Sequence, residues 1–223
     1  MVGKYTFLAI LAISLVMFML VGCNSTPAEM SPTPDTSIVW SDDFEDENTQ
    51  GWEEFDGVVG DEYFVENGKL AFGYNGGDII HPSTVNTGSW SADVFLGDKG
   101  GTVIDFAYIA TELEPDEIRT SWITIENQPY TLISLNQWDG LSSKKLKEEK
   151  LGERERITGW HHIDITRDVN GLVKVYFNNQ LMLENNVEFP YESQLIHFYT
   201  CCEGQALDNV VVRNRVIEIQ PTK

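Results

Sequence analysis

Aromatic and polar side chains alternate along two neighbouring segments in the middle of the chain. The segments run from Arg119 to Glu126 and from Tyr130 to Gln137. Sugar rings bind to such surfaces because their apolar C–H face packs on an aromatic ring while their hydroxyl groups bond to polar neighbours. If both segments are strands, one face of the pair carries these candidate ligand-binding residues: Trp122, Thr124, Glu126, Tyr130, Ser134, Asn136 and Trp138.

The positions between these residues are apolar, and they determine how the hairpin must be oriented. Apolar residues on both segments must share one buried face, which requires a connecting loop with an odd number of residues. Asn127-Gln128-Pro129 provides such a loop. The residues predicted to be buried are Ile123, Ile125, Ile133 and Leu135.

Two other interpretations of the polar face remain open. In the first, Trp122 and Trp138 lie beneath a covering loop, because large aromatic residues are mostly buried in folded proteins. In the second, the face is structural or contacts a protein partner at the cell surface rather than a glycan.

The clearest strand signal lies between Gly159 and Glu184. Its apolar residues recur at every second position, the period of a strand with one buried face. Asp168 to Gly171 and Asn178-Asn179 interrupt the pattern with residues that favour tight turns. The segment is predicted to form a three-stranded antiparallel meander. Its predicted buried residues are Ile163, Ile165, Val173, Val175, Phe177, Leu181 and Leu183, and the same alternation predicts burial of Trp90, Ala92, Val94 and Leu96.

The Trp-His pair at Trp160 and the later run Val-Lys-Val-Tyr-Phe-Asn-Asn from Val173 resemble the late strands of laminin-G-like, concanavalin A-like jelly rolls. This resemblance implies an all-β fold, namely an antiparallel two-sheet β-sandwich. It also implies a binding role toward a glycan, a polysaccharide or a surface protein. Because many activities share such a fold, the fold alone does not assign one.

The beginning and end of the body resemble calcium-bearing carbohydrate-binding β-sandwich modules. The resemblance rests on Asp-Asp-Phe-Glu before Gly51-Trp52 and on the run from Ala206 to Val212. It implies one structural Ca²⁺, an ion that takes about six to eight oxygen ligands, beside paired first and last strands. The implied ligands are Asp43, Glu45, Asp208 and Asn209. The alternative is a solvated acidic turn together with a strand-end Asp that caps a loop.

A glycosidase is the third functional hypothesis. Concanavalin-type glucanases place acidic residues at alternate positions of one strand, so that one carboxylate is the nucleophile and another is the acid. The nearest match is Glu112, Glu114 and Asp116, but Pro115 interrupts it, and proline in sheets is confined to edges and bulges. A solvated acidic loop is the preferred interpretation. We therefore expect no catalytic residues and no enzymatic activity.

The N-terminal segment predicts export and lipidation. Lys4 precedes an uncharged, largely apolar run from Tyr5 to Val21, which is short for a membrane span of about 20 residues and is typical of a signal peptide. The run ends in Leu20-Val21-Gly22-Cys23, which resembles the lipobox of bacterial lipoproteins. The resemblance implies that Cys23 is lipidated and anchors the protein in the cell envelope, on the extracytoplasmic side of a bacterial membrane. The alternative is an uncleaved signal anchor.

The 223 residues are therefore predicted to divide into four parts. Residues 1–22 form the signal peptide, and residues 23–37 contain the lipidated Cys23 and a tether rich in Ser, Thr and Pro. Residues 38–213 form the jelly-roll domain, and residues 214–223 form a tail. This body is long enough for one large core rather than two small ones.

Charge limits the partners of this protein. The formal net charge is −20, from 15 basic and 35 acidic residues. Such a surface repels nucleic-acid phosphates and anionic lipid headgroups, so we expect no nucleic-acid partner and membrane contact through the lipid anchor only. A neutral glycan, a divalent cation and a simply well-solvated exterior are all compatible with this charge.

Two further segments carry structural expectations. Residues 141–157 are dense in charge and lack a clear period, which predicts an exposed edge hairpin. Leu195 to Thr200 is the predicted penultimate strand and leads into Cys201-Cys202. Adjacent Cα atoms lie about 3.8 Å apart, below the usual disulfide separation of about 4.4–6.8 Å, so we expect these two thiols to be reduced.

Overall fold

The computed structural model describes residues 35–55, 63–98, 103–111, 119–127, 129–151, 156–187 and 192–220. These residues form fifteen strands and contain no helix that could span a membrane. The strands are β1 (Ile38–Asp42), β2 (Glu53–Glu54), β3 (Tyr63–Val65), β4 (Leu70–Phe72), β5 (Gly77–Pro82), β6 (Gly88–Leu96), β7 (Val103–Thr111), β8 (Arg119–Asn127), β9 (Thr131–Trp138), β10 (Ser143–Leu151), β11 (Gly159–Arg167), β12 (Leu172–Phe177), β13 (Gln180–Asn186), β14 (Leu195–Thr200) and β15 (Ala206–Arg213).

The strands form two antiparallel sheets that pack as a sandwich. Sheet A has eight strands, in the order β13-β12-β11-β6-β15-β4-β3, with β1 also paired to β15. Sheet B has seven strands, in the order β10-β9-β8-β7-β14-β5-β2. This architecture confirms the predicted all-β, two-sheet, concanavalin A-like jelly roll. The predicted pairing of the first and last strands is also present.

The core lies between the two sheets and follows the predicted alternation. Inward-facing side chains from both sheets interdigitate there, and outward-facing positions carry most of the polar residues. The predicted core residues that are buried are Trp90, Ala92, Val94, Leu96, Ile123, Ile125, Ile133, Leu135, Ile163, Ile165, Val173, Val175, Phe177 and Leu183.

Leu181 is the exception in the predicted core, since its side chain is 45% exposed. The register between β12 and β13 shifts by one residue: Val175 pairs with Leu183, but Tyr176 pairs with Leu181. This bulge leaves Met182 between the paired positions and moves Leu181 to the outer face beside Tyr176. Met182 packs against the core instead.

Aromatic rings join the two sheets near β1. The ring of Trp40 on β1 of sheet A packs at a tilt against the ring of His81 on β5 of sheet B, with centroids 3.7 Å apart. The buried Trp52 also contacts His81, with centroids 5.4 Å apart. Asp42 holds this corner, because one carboxylate oxygen accepts a hydrogen bond from Trp52 Nε1 at 2.9 Å and the other accepts one from the backbone N–H of Phe44 at 2.8 Å.

The charged segment forms one edge strand. β10 pairs with β9 along its length, so the hairpin is completed by β9 rather than within residues 141–157. Most side chains of β10 are exposed, and Lys145 forms an ion pair with Glu148. The predicted edge position is therefore present.

The expectation of reduced thiols is wrong, since Cys201 and Cys202 form a vicinal disulfide with Cα atoms 3.8 Å apart. The pair follows the end of β14 and lies in a turn. Adjacent side chains in a turn are not directed to opposite faces as they are in a pleated strand. Cys23 and the acidic group Glu112, Glu114 and Asp116 lie outside the described residues.

Candidate functional site

The outer face of sheet B, the side turned away from the core, carries the predicted ligand-binding residues. Trp122 on β8 pairs with Asn136 on β9, and Thr124 pairs with Ser134. Paired residues in antiparallel strands project from the same face. The inward-facing isoleucines of β8 are buried, so these four residues lie on the opposite, outer side.

The structure adds residues from three further strands to this face. Asp105 on β7 pairs with Thr124 and also with Tyr199 on β14, and Tyr199 in turn pairs with Asp78 on β5. One row therefore crosses the sheet as Ser134, Thr124, Asp105, Tyr199 and Asp78. Asp105 was not among the residues predicted from the sequence. It is the one carboxylate in a strand whose other residues are mostly apolar on both faces, and this was the signal that could have identified it.

A second row runs beside the first. Trp122 pairs with Ala107, and Ala107 pairs with His197 on β14. The Trp122 and His197 backbones are therefore two strand spacings apart, roughly 10 Å. Ala107 carries the smallest side chain on this row, so an aromatic ring and an imidazole flank a position with little bulk of its own.

Thr124 connects the polar groups of this face. Its Oγ1 accepts one hydrogen bond from Trp122 Nε1 at 3.0 Å and another from Asn136 Nδ2 at 3.0 Å. Asn136 Nδ2 also lies 3.0 Å from Ser134 Oγ. A hydroxyl group has two lone pairs and one proton, so Thr124 retains its O–H to donate to a third group. That group is the carboxylate of Asp105.

Asp105 has an unusual electrostatic environment. Burial raises the pKa of its carboxyl group above the ordinary value of 3.8, and the nearby charges of Asp78 and Glu126 act in the same direction. The hydrogen bond from Thr124 and the imidazole of His197 partly oppose this shift. Its Oδ1 atom is buried, and no described residue donates a hydrogen bond to it. A buried acceptor without a donor is costly, so this oxygen retains the capacity to accept a hydrogen bond.

His197 lies two residues before Tyr199 on β14, on the same face of sheet B. Its Nε2 atom pairs with Asp78 Oδ1, and its ring lies 4.9 Å from the ring of Phe55. The imidazole is therefore fixed by one carboxylate and one aromatic ring. His197 and Phe55 therefore add a second pair of rings to sheet B, next to the carboxylate of Asp78.

The residues predicted from the sequence to bind a ligand differ in how far their side chains are exposed. Trp122 and Trp138 are half-buried, Glu126 is exposed, and the amide of Asn136 is buried within the polar network. Tyr130 precedes β9, and the ammonium group of Lys150 lies 3.7 Å from the centre of its ring. Tyr130 is therefore engaged by Lys150 and is separate from the network around Thr124.

The predicted calcium ligands lie near one another at the junction of β1 and β15. Burial raises the pKa of Asp208, and the neighbouring charges of Asp93, Glu45 and Asp43 raise it further. Asn209 adopts a left-handed backbone conformation with φ of 48°, and its Nδ2 atom donates to Asp93 Oδ2 at 2.8 Å. The negative charge that a cation would neutralise is thus present.

The geometry of this acidic group is less favourable for a metal ion. Among the described residues, no three His, Cys, Asp or Glu side chains are arranged to hold a metal ion together. Asp93 is already paired, because its Oδ1 lies 2.5 Å from His162 Nδ1. Asp164 and Asp93 together raise the pKa of His162 to about 9, so this part of sheet A already contains a cation. Calcium would need backbone carbonyl groups or water to complete its coordination.

Comparisons with known proteins identify the fold but no family. No family model matches the sequence, and none of the curated proteins matches it. Among solved structures, the carbohydrate recognition domain of Emp47p is 13% identical, with 82% of this chain and 100% of that chain covered and a TM-score of 0.60. The carbohydrate-binding module CBM66 from Bacillus subtilis is 12% identical, with 74% and 97% covered and a TM-score of 0.56.

A Bacillus licheniformis beta-glucanase is similar to the same degree. It is 15% identical, with 79% of this chain and 97% of that chain covered and a TM-score of 0.57. Binding modules and a hydrolase therefore share this fold. At such identities the likeness shows the fold alone, which is the concanavalin A-like jelly roll.

Proposed function

We propose that this protein is a lipid-anchored, extracytoplasmic glycan-binding domain that binds a neutral sugar on the outer face of sheet B without chemical turnover. The observation that carries the proposal is the hydrogen-bond network from Trp122 and Asn136 through Thr124 to Asp105. It combines a half-buried indole ring with a buried carboxylate oxygen that lacks a donor. A sugar provides a partner for each group, because its apolar ring face packs on the indole and its hydroxyl donates a hydrogen bond to the carboxylate oxygen.

The charge of the face favours a neutral sugar over an acidic one. Asp105, Asp78 and Glu126 all contribute negative charge there, and the whole chain has a net charge of −20. A uronic acid or a phosphorylated glycan would bring another anion close to these carboxylates. The solved structures of carbohydrate-binding domains with the same fold are consistent with this proposal.

Hydrolysis of a glycan is the second candidate function, and one observation favours it. Glycosidases require one protonated and one ionised carboxyl group, and unequal environments separate the two pKa values. On this face the largely buried Asp105, whose pKa is raised by burial, lies near the exposed Glu126, so two carboxyl groups occupy different environments. Reducing ends released from a neutral polysaccharide by the wild-type protein, and not by Asp105→Asn, would replace the non-catalytic proposal with this one.

A structural calcium ion at Asp43, Glu45, Asp208 and Asn209 is part of the proposal. The mutual repulsion at Asp208 supports it, because a cation there would relieve the like charges. Anchoring through Cys23 is supported by the lipobox-like Leu20-Val21-Gly22-Cys23. A lipid group with two or more acyl chains gives stable membrane attachment.

The first prediction concerns the aromatic part of the proposed site. Trp122→Ala and Trp138→Ala should each weaken binding of the neutral glycan identified on a glycan array by about tenfold, since truncating a central aromatic contact typically costs more than about 1 kcal/mol. Isothermal titration calorimetry on the full-length protein measures the change. Val169→Ala, an exposed residue in the turn of sheet A before β12, is the control and should bind normally. Equal binding by all four proteins would exclude the outer face of sheet B.

The second prediction concerns Asp105, where binding and stability should change in opposite directions. Its raised folded pKa means that the carboxyl group favours the folded state at low pH and opposes it as pH rises above 3.8. Asp105→Asn should therefore raise the melting temperature at pH 7, by a stability gain on the order of 1 kcal/mol, while it weakens glycan binding. The stability difference should disappear below about pH 3.8.

Asp139→Asn is the control for this prediction, because its effect on stability at neutral pH should be opposite to that of Asp105→Asn. The backbone N–H groups of Leu141 and Ser142 lower the pKa of Asp139, so its carboxylate contributes stability at neutral pH. This variant should melt at or below the wild-type temperature. If Asp105→Asn also melted lower at pH 7, Asp105 would be a structural group rather than a ligand acceptor.

The third prediction tests calcium. Adding Ca²⁺ to protein treated with a chelator should raise the melting temperature, because an ion that binds only the folded state stabilises it. Asp208→Ala should remove this rise, whereas Asp46→Ala, an exposed acidic residue in the nearby turn, should retain it. A wild-type melting temperature that is insensitive to Ca²⁺ would rule out the ion.

The fourth prediction tests the anchor. In cells grown with labelled palmitate, the wild-type chain should incorporate the label and Cys23→Ala should not, because the acylated thiol is absent. Cys201→Ser is the matched cysteine control and should remain labelled. Labelling of Cys23→Ala at the wild-type level would show that Cys23 is not the lipidation site.

A further inference from the structure

Sheet A carries its own row of aromatic residues on its outer face. Phe64 on β3 pairs with Ala71 on β4, and Ala71 pairs with Ala206 on β15. Ala206 pairs with Phe95 on β6, which pairs with Trp160 on β11. Because residues paired across strands share a face, these five side chains form one continuous row.

The aromatic side chains at the two ends of this row are exposed, and the side chains between them are small. Phe64 is 45% exposed and Trp160 is 43% exposed. The Phe95 and Trp160 rings make an edge contact, with centroids 5.5 Å apart. Two alanines separate Phe64 from Phe95, whose backbones are three strand spacings apart, or roughly 14 Å. Large rings therefore border a stretch of sheet with little side-chain bulk.

A cavity of about 680 Å³ lies beside the row, where β4 and β6 end and β11 begins. Its volume falls within the range of about 300–1,000 Å³ that is usual for small-molecule sites. Phe64 and Phe95 line it together with Tyr74, which is 77% exposed. Glu203 and Gly204 of the turn before β15 form another part of its wall.

The two turns that border this cavity are packed against each other. A Cβ atom on Gly76, in the turn that carries Tyr74, would lie 1.9 Å from the carbonyl oxygen of Thr200. It would also lie 2.8 Å from the backbone nitrogen of Cys202. Only glycine permits this approach, and the vicinal disulfide cross-links the second turn. Tyr74 and Glu203 are thus presented by turns held at a fixed distance.

Charge restricts what this cavity can bind. Asp98 and Glu203 are the charged residues that line it, and no lysine or arginine is among its described lining residues. Anionic ligands are therefore disfavoured. A cationic ligand would meet Lys69, whose Nζ atom lies 6.0 Å from the centre of the Trp160 ring. Exposed aromatic rings beside carboxylate acceptors instead match the ring face and the hydroxyl groups of a neutral sugar.

We propose that the cavity lined by Phe64, Tyr74 and Phe95 is a second binding site for a neutral sugar, and that Trp160, whose ring contacts Phe95 beside the cavity, extends it. It lies on the sheet opposite the proposed site at Trp122 and Asp105, and it shares no residue with that site. The inference is independent of the proposed function of sheet B. If both sites exist, one domain can contact two sugars of a polysaccharide or two separate chains.

The test measures binding in a background that lacks the first site. Full-length Trp122→Ala protein, in a polyoxyethylene detergent without a sugar headgroup, is titrated calorimetrically with neutral hexasaccharides of glucose, galactose, mannose and fructose. We expect this protein to retain binding to at least one of them. Adding Tyr74→Ala or Trp160→Ala should then weaken that binding by about tenfold or more.

Each outcome separates the two proposals. Complete loss of binding in Trp122→Ala overturns the second site and leaves the proposed function intact. Binding that depends on Tyr74 and Trp160 but not on Trp122 supports the second site and removes the proposed function. Failure of the wild-type protein to bind any of these hexasaccharides counts against both.

Two controls establish that the binding is specific to this cavity and to sugars. Leu141→Ala, at a residue that is 90% exposed on the loop between β9 and β10, should leave hexasaccharide binding by the Trp122→Ala protein unchanged. Choline chloride is the cationic probe. If it binds in a manner that requires Tyr74 while the sugars do not bind, the cavity is a cation site and the inference is wrong. Unchanged melting temperatures verify that Tyr74→Ala and Trp160→Ala remain folded.

Discussion

The register of β8 against β9 is the constraint on which the rest of sheet B depends. Pairing Trp122 with Asn136 sends Ile123 and Leu135 into the core as an adjacent pair. A slip of one residue would turn one of the two strands over, which would place either the indole ring or the amide between the sheets and expose the apolar residues of that strand. The loss of buried apolar surface opposes that slip, so the same hydrophobic pattern that stabilises the core also fixes the composition of the outer face.

Thr124 joins the polar side chains of the outer face of sheet B through its hydroxyl group. Two donors converge on its hydroxyl oxygen, which leaves its proton directed to Asp105. The hydrogen bonds that pass through Thr124 therefore all run toward Asp105. The Oδ1 atom of that carboxylate has no donor among the described residues. A protein selected for stability alone would place an apolar or amide side chain there. The unfavourable carboxylate is intelligible if its missing hydrogen bond is made to a ligand.

The two sheets differ in how their outer faces combine aromatic and charged groups. On sheet B the half-buried indole of Trp122 donates a hydrogen bond to Thr124 and is part of a polar network. On sheet A the rings of Phe64 and Trp160 are exposed, and the carboxylates of Asp98 and Glu203 line a cavity beside the row. Elsewhere on sheet A, His162 is held between Asp93 and Asp164, which reduces the local repulsion in a strongly acidic protein.

Much of the fold could be predicted because a strand with one buried face has a period of two. That period was sufficient to predict the meander from Gly159 to Glu184, the core residues of β6 and the two faces of the β8–β9 hairpin. It failed at Leu181, because a bulge changes the parity of a strand and depends on how the partner strand packs. It also did not reveal the disulfide at Cys201-Cys202, which depends on the geometry of one turn.

The candidate site was only partly contained in the sequence. Local alternation determined that Trp122, Thr124, Ser134 and Asn136 share a face, because those residues belong to neighbouring strands of one hairpin. Tertiary structure decided that Asp105, Tyr199 and Asp78 complete the row, and that Phe64 and Trp160 end another row on sheet A. The order of strands in a sheet joins residues that are distant along the chain. That order is set by the packing of the whole sandwich, so no local pattern in the sequence records it.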